Sequence, residues 1–229
     1  MGRAFDGSYA EYALLSNEQI YPVDSQLSCS ELAAVPETYY TTFGSFKNLQ
    51  IKEGDSILVR AATSGVGLAF LKLVKAQFPQ NRVVGAVRSL AKKDLLQYLG
   101  FDEIILDAKG VLQIEEKFDK ILELVGPATL KNSFDHIQSA GIICNTGQLG
   151  GKWYVEEFDP IVEIKNNSFL TSFYSGNVSQ QLIDELFSYI DAYQINLSSQ
   201  RIFSLEQILA AHSYIESQVG FGKMVVLND

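Results

Sequence analysis

The sequence predicts an α/β domain built on a doubly wound, six-stranded parallel sheet. Short apolar runs alternate with helix-length amphipathic segments from residue 52 to about residue 174, which is typical of repeated strand-helix-strand units. The chain has 229 residues, of which 47% are hydrophobic and 20% are charged, so it can bury a core of the required size. Such sheets bind ligands at the carboxyl ends of their strands, and we therefore expect function in the loops that follow them.

The predicted strands are apolar runs bounded by polar or turn-forming residues, and they cover residues 56–61, 82–87, 103–106, 120–125, 141–146 and 169–174. The predicted helices place Leu, Phe, Val and Ile at spacings of three and four, and they cover residues 66–78, 91–99 and 128–137. The loops after Ala61, Val87, Val125 and Thr146 are the ones in which the ligand-binding residues are expected.

The two ends of the chain have a different pattern. Gly7–Ser16 alternates like a half-buried antiparallel strand, and Gly222–Asn228 resembles a short terminal strand. Neither belongs obviously to the parallel sheet. We expect both to be pieces of a second, mainly antiparallel domain whose other strands would precede Met1.

Composition excludes several classes of protein. The net charge of -9, without any run of Lys or Arg, argues against a nucleic-acid partner and against an anionic membrane surface. No stretch approaches the roughly 20 apolar residues of a membrane span, and the start has no basic segment followed by a long apolar one, so we predict a cytoplasmic protein. Cys29 and Cys144 have no pairing pattern, and His136 and His212 have no Cys partner at ligand spacing. We therefore predict reduced thiols and no metal site.

The strongest local signal is the sequence DSILVRAATSGVGLAFLKLVKA, in which a buried strand leads through a Ser/Gly turn into a helix that begins near Gly65. Free N–H groups and the positive end of the helix dipole make such a turn an anion site. In the G-x-G-x-x-G frame the three positions are Ala62, Ser64 and Gly67, so only the third glycine is kept. A tight strand-helix connection that binds no ligand remains the alternative.

The end of the second strand indicates which dinucleotide the turn would bind. An NAD site has an acidic residue there, whereas Val87 occupies that place and Arg88, Ser89 and Lys92 follow it. These side chains offer cationic and hydroxyl donors to a 2′-phosphate, which favours NADP. Solvated charges at a helix start are the alternative interpretation. A methyltransferase would also have an acidic residue at this point, so this class of enzyme is disfavoured.

Several blocks resemble the medium-chain dehydrogenase/reductases, and most closely the quinone oxidoreductase branch. The blocks, in order, are ELAAVPETYYTTFGSF, IKEGDSILVRAATSGVGLAFLKLVKA, LGFDEIILD, ELVGPATL, ICNTGQLGG and GKMVVLN. The resemblance covers essentially the whole chain. It implies an NADP-binding Rossmann domain over residues 36–195, a remnant of a GroES-like catalytic domain over 1–35, and a segment returning to that domain over 196–229.

The resemblance also implies a cofactor groove assembled from several loops. The residues expected at the pyrophosphate are Ser64, Gly65, Val66 and Gly67, and those at the 2′-phosphate are Arg88, Ser89 and Lys92. The residues expected to line the groove are Val125, Gly126, Thr146, Gly147 and Gln148. The residues expected near the nicotinamide are Tyr39, Thr42, Phe173, Tyr174 and Ser175. Core packing of Tyr39 and Tyr40, and a plain glycine turn at residues 146–148, are the alternatives.

Two positions depart from the resemblance. Glu37 stands where members that use catalytic zinc have a Cys, so metal catalysis is disfavoured. Asp107 stands where a related reductase branch has a Tyr close to the adenosine. Members also have a longer N-terminal part that forms most of the catalytic domain, and the substrate pocket is therefore expected to be mostly missing here.

The activity implied by the resemblance is hydride transfer from NADPH to a small quinone or α,β-unsaturated carbonyl. Tyr39 is the best placed candidate to contact the substrate, and no residue is identified as a general acid. The alternative is a module that binds NADPH without turnover. A homodimer is expected, because the family commonly pairs the sixth strand, here FLTSFY, across a twofold axis.

Overall fold

A computed structural model of the chain describes residues 7, 9–217 and 222–228. The chain divides into two compact units. The larger comprises Thr41–Tyr174, and the smaller comprises Met1–Tyr40 together with Ser175–Asp229.

The larger unit holds a seven-stranded sheet. Its strands are β1 (Ile57–Arg60), β2 (Val83–Val87), β3 (Glu103–Ala108), β4 (Val111–Leu112), β5 (Phe118–Glu123), β6 (Ile137–Asn145) and β7 (Phe169–Ser172). They lie in the order β4-β3-β2-β1-β5-β6-β7, with every pairing parallel except that of β3 with β4. The predicted α/β class and the parallel character of the sheet are thus confirmed, but the sheet has seven strands and not six, and one of its pairs is antiparallel. The sequence prediction missed β4, whose two residues are too few to show a pattern.

The order of the strands reverses at the centre of the sheet. From β1 the chain proceeds through β2 and β3 toward one edge, and β5 then pairs with the other side of β1. The carboxyl ends of β1 and β5 therefore flank the topological switch point, which is where open α/β sheets bind their ligands.

The helices are α1 (Cys29–Ala34), α2 (Thr38–Leu49), α3 (Gly65–Gln77), α4 (Lys93–Tyr98), α5 (Leu130–Asp135), α6 (Pro160–Glu163), α7 (Gln180–Tyr193) and α8 (Ile208–Glu216). The helix predicted at 66–78 is confirmed as α3. The one predicted at 91–99 begins as a 3₁₀ turn at Leu90–Lys92. The prediction of 128–137 was wrong at its end, because Ile137 pairs with Phe118 and starts β6.

The core of the larger unit follows from the apolar strands. All residues of β1 and β2 are buried, as expected for central parallel strands covered on both faces. One cluster on the sheet combines Leu58, Val84, Ile121 and Ile143 with Phe134 from α5. Two charged side chains at strand ends are also completely buried, namely Arg60 at the end of β1 and Glu123 at the end of β5.

The smaller unit contains a two-stranded sheet of β8 (Arg201–Ser204) and β9 (Met224–Leu227). The C-terminal strand is confirmed, but its pairing with β8 is parallel and not antiparallel. The strand predicted at Gly7–Ser16 was wrong, since residues 9–16 are bends and coil; Ser8 lies outside the described residues. Tyr12 and Leu14 are 90% and 94% exposed, so the alternation reflects no buried face.

Candidate cofactor site

The connection from β1 to α3 has the local geometry of an anion-binding turn. Ser64 is the N-cap of α3, and its Oγ accepts a hydrogen bond of 3.0 Å from the N–H of Gly67. Gly65 and Val66 occupy the first turn, in which N–H groups have no carbonyl partner within the helix. Their N–H groups and the helix dipole can stabilise a phosphate at this point.

Gly67 is required by the packing of this helix on the sheet. A Cβ added there would lie 2.9 Å from the carbonyl oxygen of Ala61 and 3.1 Å from that of Ala62. Any side chain would therefore push α3 away from the end of β1. This is the close helix-strand packing that the third glycine of the motif was expected to allow.

Two of the predicted groove turns are in direct backbone contact. A Cβ on Gly126 would lie 2.3 Å from the carbonyl oxygen of Gly147, and a Cβ on Gly147 would lie 2.1 Å from that of Leu124. The Gly150 N–H also donates to Val125 at 2.8 Å. The structure thus brings together the turns after β5 and β6. Their contact with a cofactor stays a prediction.

Glu123, at the end of β5, holds the first of these turns. Its carboxylate is fully buried, and Oε1 accepts hydrogen bonds from the N–H groups of Val125 and Gly126 at 2.8 and 3.0 Å. Its Oε2 accepts a hydrogen bond of 2.6 Å from the Ser133 hydroxyl and lies 3.7 Å from Nε of Arg60. The shape of the Val125–Gly126 turn therefore depends on a buried carboxylate.

Arg60 links β1 to three neighbouring segments. Its Nη2 lies 2.6 Å from Oδ2 of Asp107 at the end of β3 and donates to the Gly110 carbonyl at 3.1 Å. Its Nη1 donates at 3.1 Å to three acceptors at the start of α5, which are the Thr129 carbonyl, Asn132 Oδ1 and Ser133 Oγ. The guanidinium is satisfied on all sides, and it joins the carboxyl ends of the strands beside the switch point.

A cavity of about 390 Å³ opens beside this cluster. Six residues that contribute to its lining are Arg88, Asp107, Lys109, Gly110, Val125 and Thr129. The structure therefore brings two predicted site residues, Arg88 and Val125, to one cavity, and it adds Lys109 and Asp107, which were not predicted to bind a ligand. Among the described residues, Asp107 Oδ1 is a buried acceptor without a hydrogen-bond partner.

The other two residues predicted for the 2′-phosphate lie on the 3₁₀ turn that follows β2. Ser89 is its N-cap and accepts a hydrogen bond from the Ala91 N–H at 3.3 Å, and Lys92 is its last residue. Both follow Arg88 in the chain, but only Arg88 lines the cavity.

Of the residues predicted near the nicotinamide, three belong to the larger unit. Thr42 on α2 is buried, with its hydroxyl 3.5 Å from the Val66 carbonyl. The ring of Phe173 packs on α2 so closely that a Cβ on Gly44 would lie 2.1 Å from it. Tyr174 is 68% exposed.

Tyr39 and Ser175 belong to the smaller unit. Tyr39 is 4% exposed, and burial raises the pKa of its phenol to about 12, so the hydroxyl stays neutral at physiological pH. Tyr40 is also buried; its hydroxyl donates to the Asn177 carbonyl at 3.1 Å and accepts from the Ser179 N–H at 3.0 Å. Both tyrosines are therefore buried, and a contact of Tyr39 with a nicotinamide stays a prediction.

Thr146, which directly follows β6, makes a polar contact with α2. Its Oγ1 is 2.8 Å from Oγ of Ser45 and 3.3 Å from Sγ of Cys144. Burial raises the pKa of the Cys144 thiol, which therefore stays protonated at neutral pH and is a poor nucleophile.

A family model for zinc-binding dehydrogenases matches residues 99–226, which is more than half of the chain. The chain belongs to this family. The match agrees with the resemblance of the sequence blocks to medium-chain dehydrogenase/reductases, and the zinc-binding dehydrogenase relatives include several quinone oxidoreductases. Within the described residues, no group of three or more His, Cys, Asp or Glu side chains is placed to hold a metal ion.

Three curated relatives are similar to this chain over different shares of their own lengths. The chain is 26% identical to a quinone oxidoreductase of Pseudomonas aeruginosa, covering 96% of this chain and 71% of that one. It is 25% identical to a 2-methylene-furan-3-one reductase of Solanum lycopersicum, covering 96% of this chain and 52% of the relative. It is also 25% identical to probable polyketide synthase 14 of Dictyostelium discoideum, covering 95% of this chain and 8% of that protein.

Solved structures share the fold of this dehydrogenase-family chain. Bacillus subtilis protein yhfP, solved with NAD bound, aligns with a TM-score of 0.80 at 22% identity, over 97% of this chain and 70% of that one. A mycobacterial protein complexed with NADPH aligns with a TM-score of 0.71 at 20% identity, over 90% and 66% of the two chains.

Sequence reasoning missed the buried charges of this site. Arg60 and Glu123 each end an apolar strand, and Asp107 follows the run EIIL. The available signal was therefore a charged residue at the carboxyl end of each of β1, β3 and β5. That they pair with one another depends on strand order, which the local pattern does not contain.

Proposed function

We propose that this chain binds NADPH and that the protein transfers hydride from it to a quinone or an α,β-unsaturated carbonyl. The observation that carries the proposal is the cavity beside the switch point, with Arg88 in its lining. Relatives named quinone oxidoreductase and 2-methylene-furan-3-one reductase support the substrate class. Neighbours solved with NAD or NADPH support the nicotinamide cofactor.

NADP is favoured over NAD by the charges around the cavity. Val87 ends β2, where an NAD site would have an acid for the ribose hydroxyl, and Arg88 follows. The carboxylate of Asp107 also lines the cavity, but its Oδ2 lies 2.6 Å from the Arg60 guanidinium, which offsets its charge. Arg88, by contrast, has no carboxylate within 4.0 Å among the described residues, so its positive charge is available to a ligand.

The proposed contacts follow the positions of the loops. The pyrophosphate binds at the start of α3, through residues Ser64, Gly65, Val66 and Gly67. The Ser64 N–H already donates to the Ala61 carbonyl at 3.0 Å, but its hydroxyl only accepts from Gly67, so the hydroxyl proton is available to a phosphate. The turns at residues 125–126 and 146–148 line the groove, and residues 173–175 together with Tyr39 and Thr42 approach the nicotinamide.

NADPH, when bound, supplies the hydride from C4 of its nicotinamide ring. The residues of this chain position the dinucleotide and exclude water, as proteins usually do for the cofactors that they bind.

Zinc independence is part of the proposal, because Glu37 stands at the position where zinc-using members have a Cys. No helix in the described part of the chain is long and apolar enough to cross a membrane. A cytoplasmic location and a homodimer formed through β7 are also proposed.

Arg88→Ala is expected to weaken NADPH binding by about tenfold or more while leaving NADH binding nearly unchanged, since a charge-assisted bond to the 2′-phosphate would be lost. The dissociation constants of both nucleotides are measured by fluorescence titration. Lys93→Ala is the control, because it removes an exposed cation close by in the chain that does not line the cavity. Equal losses for the two nucleotides would contradict the assignment of Arg88.

The second candidate is a module that binds NADPH without turnover. It requires only dinucleotide binding, which is the property that the neighbours solved with NAD or NADPH support. Oxidation of NADPH by the purified chain, followed by its absorbance with a quinone and with an α,β-unsaturated ketone, separates the two. Binding without oxidation of NADPH by either acceptor would favour the module, and oxidation would establish the enzyme.

A further inference from the structure

The turn between β3 and β4 has an unusual backbone for the residue that it carries. Ala108 pairs with Val111 across the hairpin, so Lys109 and Gly110 are its two central residues. Both have positive φ, at 53° and 87°, which is the type I′ geometry that favours Asn-Gly. A lysine in the left-handed region costs about 1–2 kcal/mol relative to glycine. Strain of this kind is a reason to look for function at Lys109.

Hydrogen bonds to the buried residues around Arg60 hold this turn in place. Arg60 donates to the Gly110 carbonyl at 3.1 Å and forms its ion pair with Asp107 at the start of the turn. Asn132 Oδ1 accepts from the Leu112 N–H at 3.1 Å on the other side. The backbone of Lys109 is therefore held in place relative to the carboxyl ends of β1 and β3.

Lys109 and Arg88 line the same cavity from two different loops. Within the described part of the chain, neither cation lies within 4.0 Å of a carboxylate, although the protein has a net charge of -9. Both side chains are exposed at the cavity. Two uncompensated cations on one cavity favour a ligand group that carries two negative charges.

We propose that Lys109 is a second cation that, together with Arg88, binds the 2′-phosphate of NADPH. The inference rests on the proposed function, since it assigns the 2′-phosphate of that cofactor to this cavity. It makes the β3–β4 turn a determinant of cofactor specificity. It also gives the buried Arg60 a positioning role, because Arg60 holds the turn from which Lys109 projects.

The test is Lys109→Asn, which removes the charge but keeps a residue that tolerates left-handed φ. The dissociation constant of NADPH is expected to rise about tenfold and that of NADH to stay unchanged. The dependence of NADPH affinity on salt should also become weaker. Lys117→Asn is the matched control, because it removes the same charge from an exposed site just before β5, outside the cavity, and should change neither constant.

The outcomes separate this inference from the proposed function. If the unaltered protein prefers NADPH and Lys109→Asn retains the whole preference, Lys109 is not a phosphate ligand, whereas the proposed function stands. If Lys109→Asn weakens NADPH and NADH equally, the turn has only a structural role and the inference is overturned. If the unaltered protein binds no NADPH, both fail. Thermal unfolding of the variant without ligand, expected to match the unaltered protein, checks that the turn still forms.

Discussion

Arg60→Leu is expected to lower the free energy of unfolding by about 3 to 5 kcal/mol, which is the usual effect of removing one partner from a buried ion pair. The substitution would leave the carboxylates of Asp107 and Glu123 buried without their cation. It would also remove the donor to the Gly110 carbonyl and one of the two donors to the Thr129 carbonyl, which keeps its bond from the Ser133 N–H. Urea unfolding at neutral pH, compared with the unaltered protein, measures the loss.

Arg82→Leu is the matched control, because Arg82 also pairs with two carboxylates, at 2.6 Å each, but its side chain is 37% exposed. We expect it to cost about 1 kcal/mol or less. Adding Asp107→Leu to Arg60→Leu should recover part of the stability, since an apolar pair in a buried site is better than a lone charge. Equal losses for Arg60→Leu and Arg82→Leu would show that the buried cluster does not hold the strand ends together.

Gly147→Ala is expected to lower the free energy of unfolding by about 3 kcal/mol, the upper end of the usual range for overpacking. The added methyl would lie 2.1 Å from the carbonyl oxygen of Leu124 and 2.7 Å from its carbonyl carbon. Both are backbone atoms, so no rotamer change can relieve the contact. The turns after β5 and β6 would have to separate, and NADPH affinity should fall as well. Urea unfolding and NADPH titration measure the two effects.

Gly151→Asn is the control for Gly147→Ala. Gly151 has positive φ, no atom lies within 4 Å of where its Cβ would be, and asparagine tolerates this conformation. A change below about 1 kcal/mol is expected. If Gly147→Ala were as mild as this control, the contact between the two turns would not be a constraint on the site.

The parallel sheet could be predicted because its central strands are short, apolar and buried on both faces, a pattern that is visible in the sequence itself. The helix α3 could be predicted for the same reason, since its core-facing residues recur at helical spacing. The strand predicted at residues 7–16 was wrong. Alternation of apolar and polar residues indicates that a strand could have one apolar face, but it does not show that a partner strand is present. Burial and pairing depend on the rest of the chain.

The candidate site was predictable where it depends on a local motif. Gly67 and Arg88 are recognisable from the strand, turn and helix around them. The pairing of Arg60 with Asp107, by contrast, joins residues that are far apart in sequence and adjacent only across the sheet. Lys109 was missed for a related reason, because its importance depends on a two-residue turn whose flanking strand β4 is too short to be recognised.

Binding of NADPH to this chain can be measured by thermal unfolding of the purified chain with NADPH and with NADH. A ligand at about a hundred times its dissociation constant stabilises the fold by about 2.7 kcal/mol, which gives a measurable rise in Tm. We expect a clear rise in Tm with NADPH and a smaller one with NADH at the same concentration. No rise with either nucleotide at millimolar concentration would contradict it.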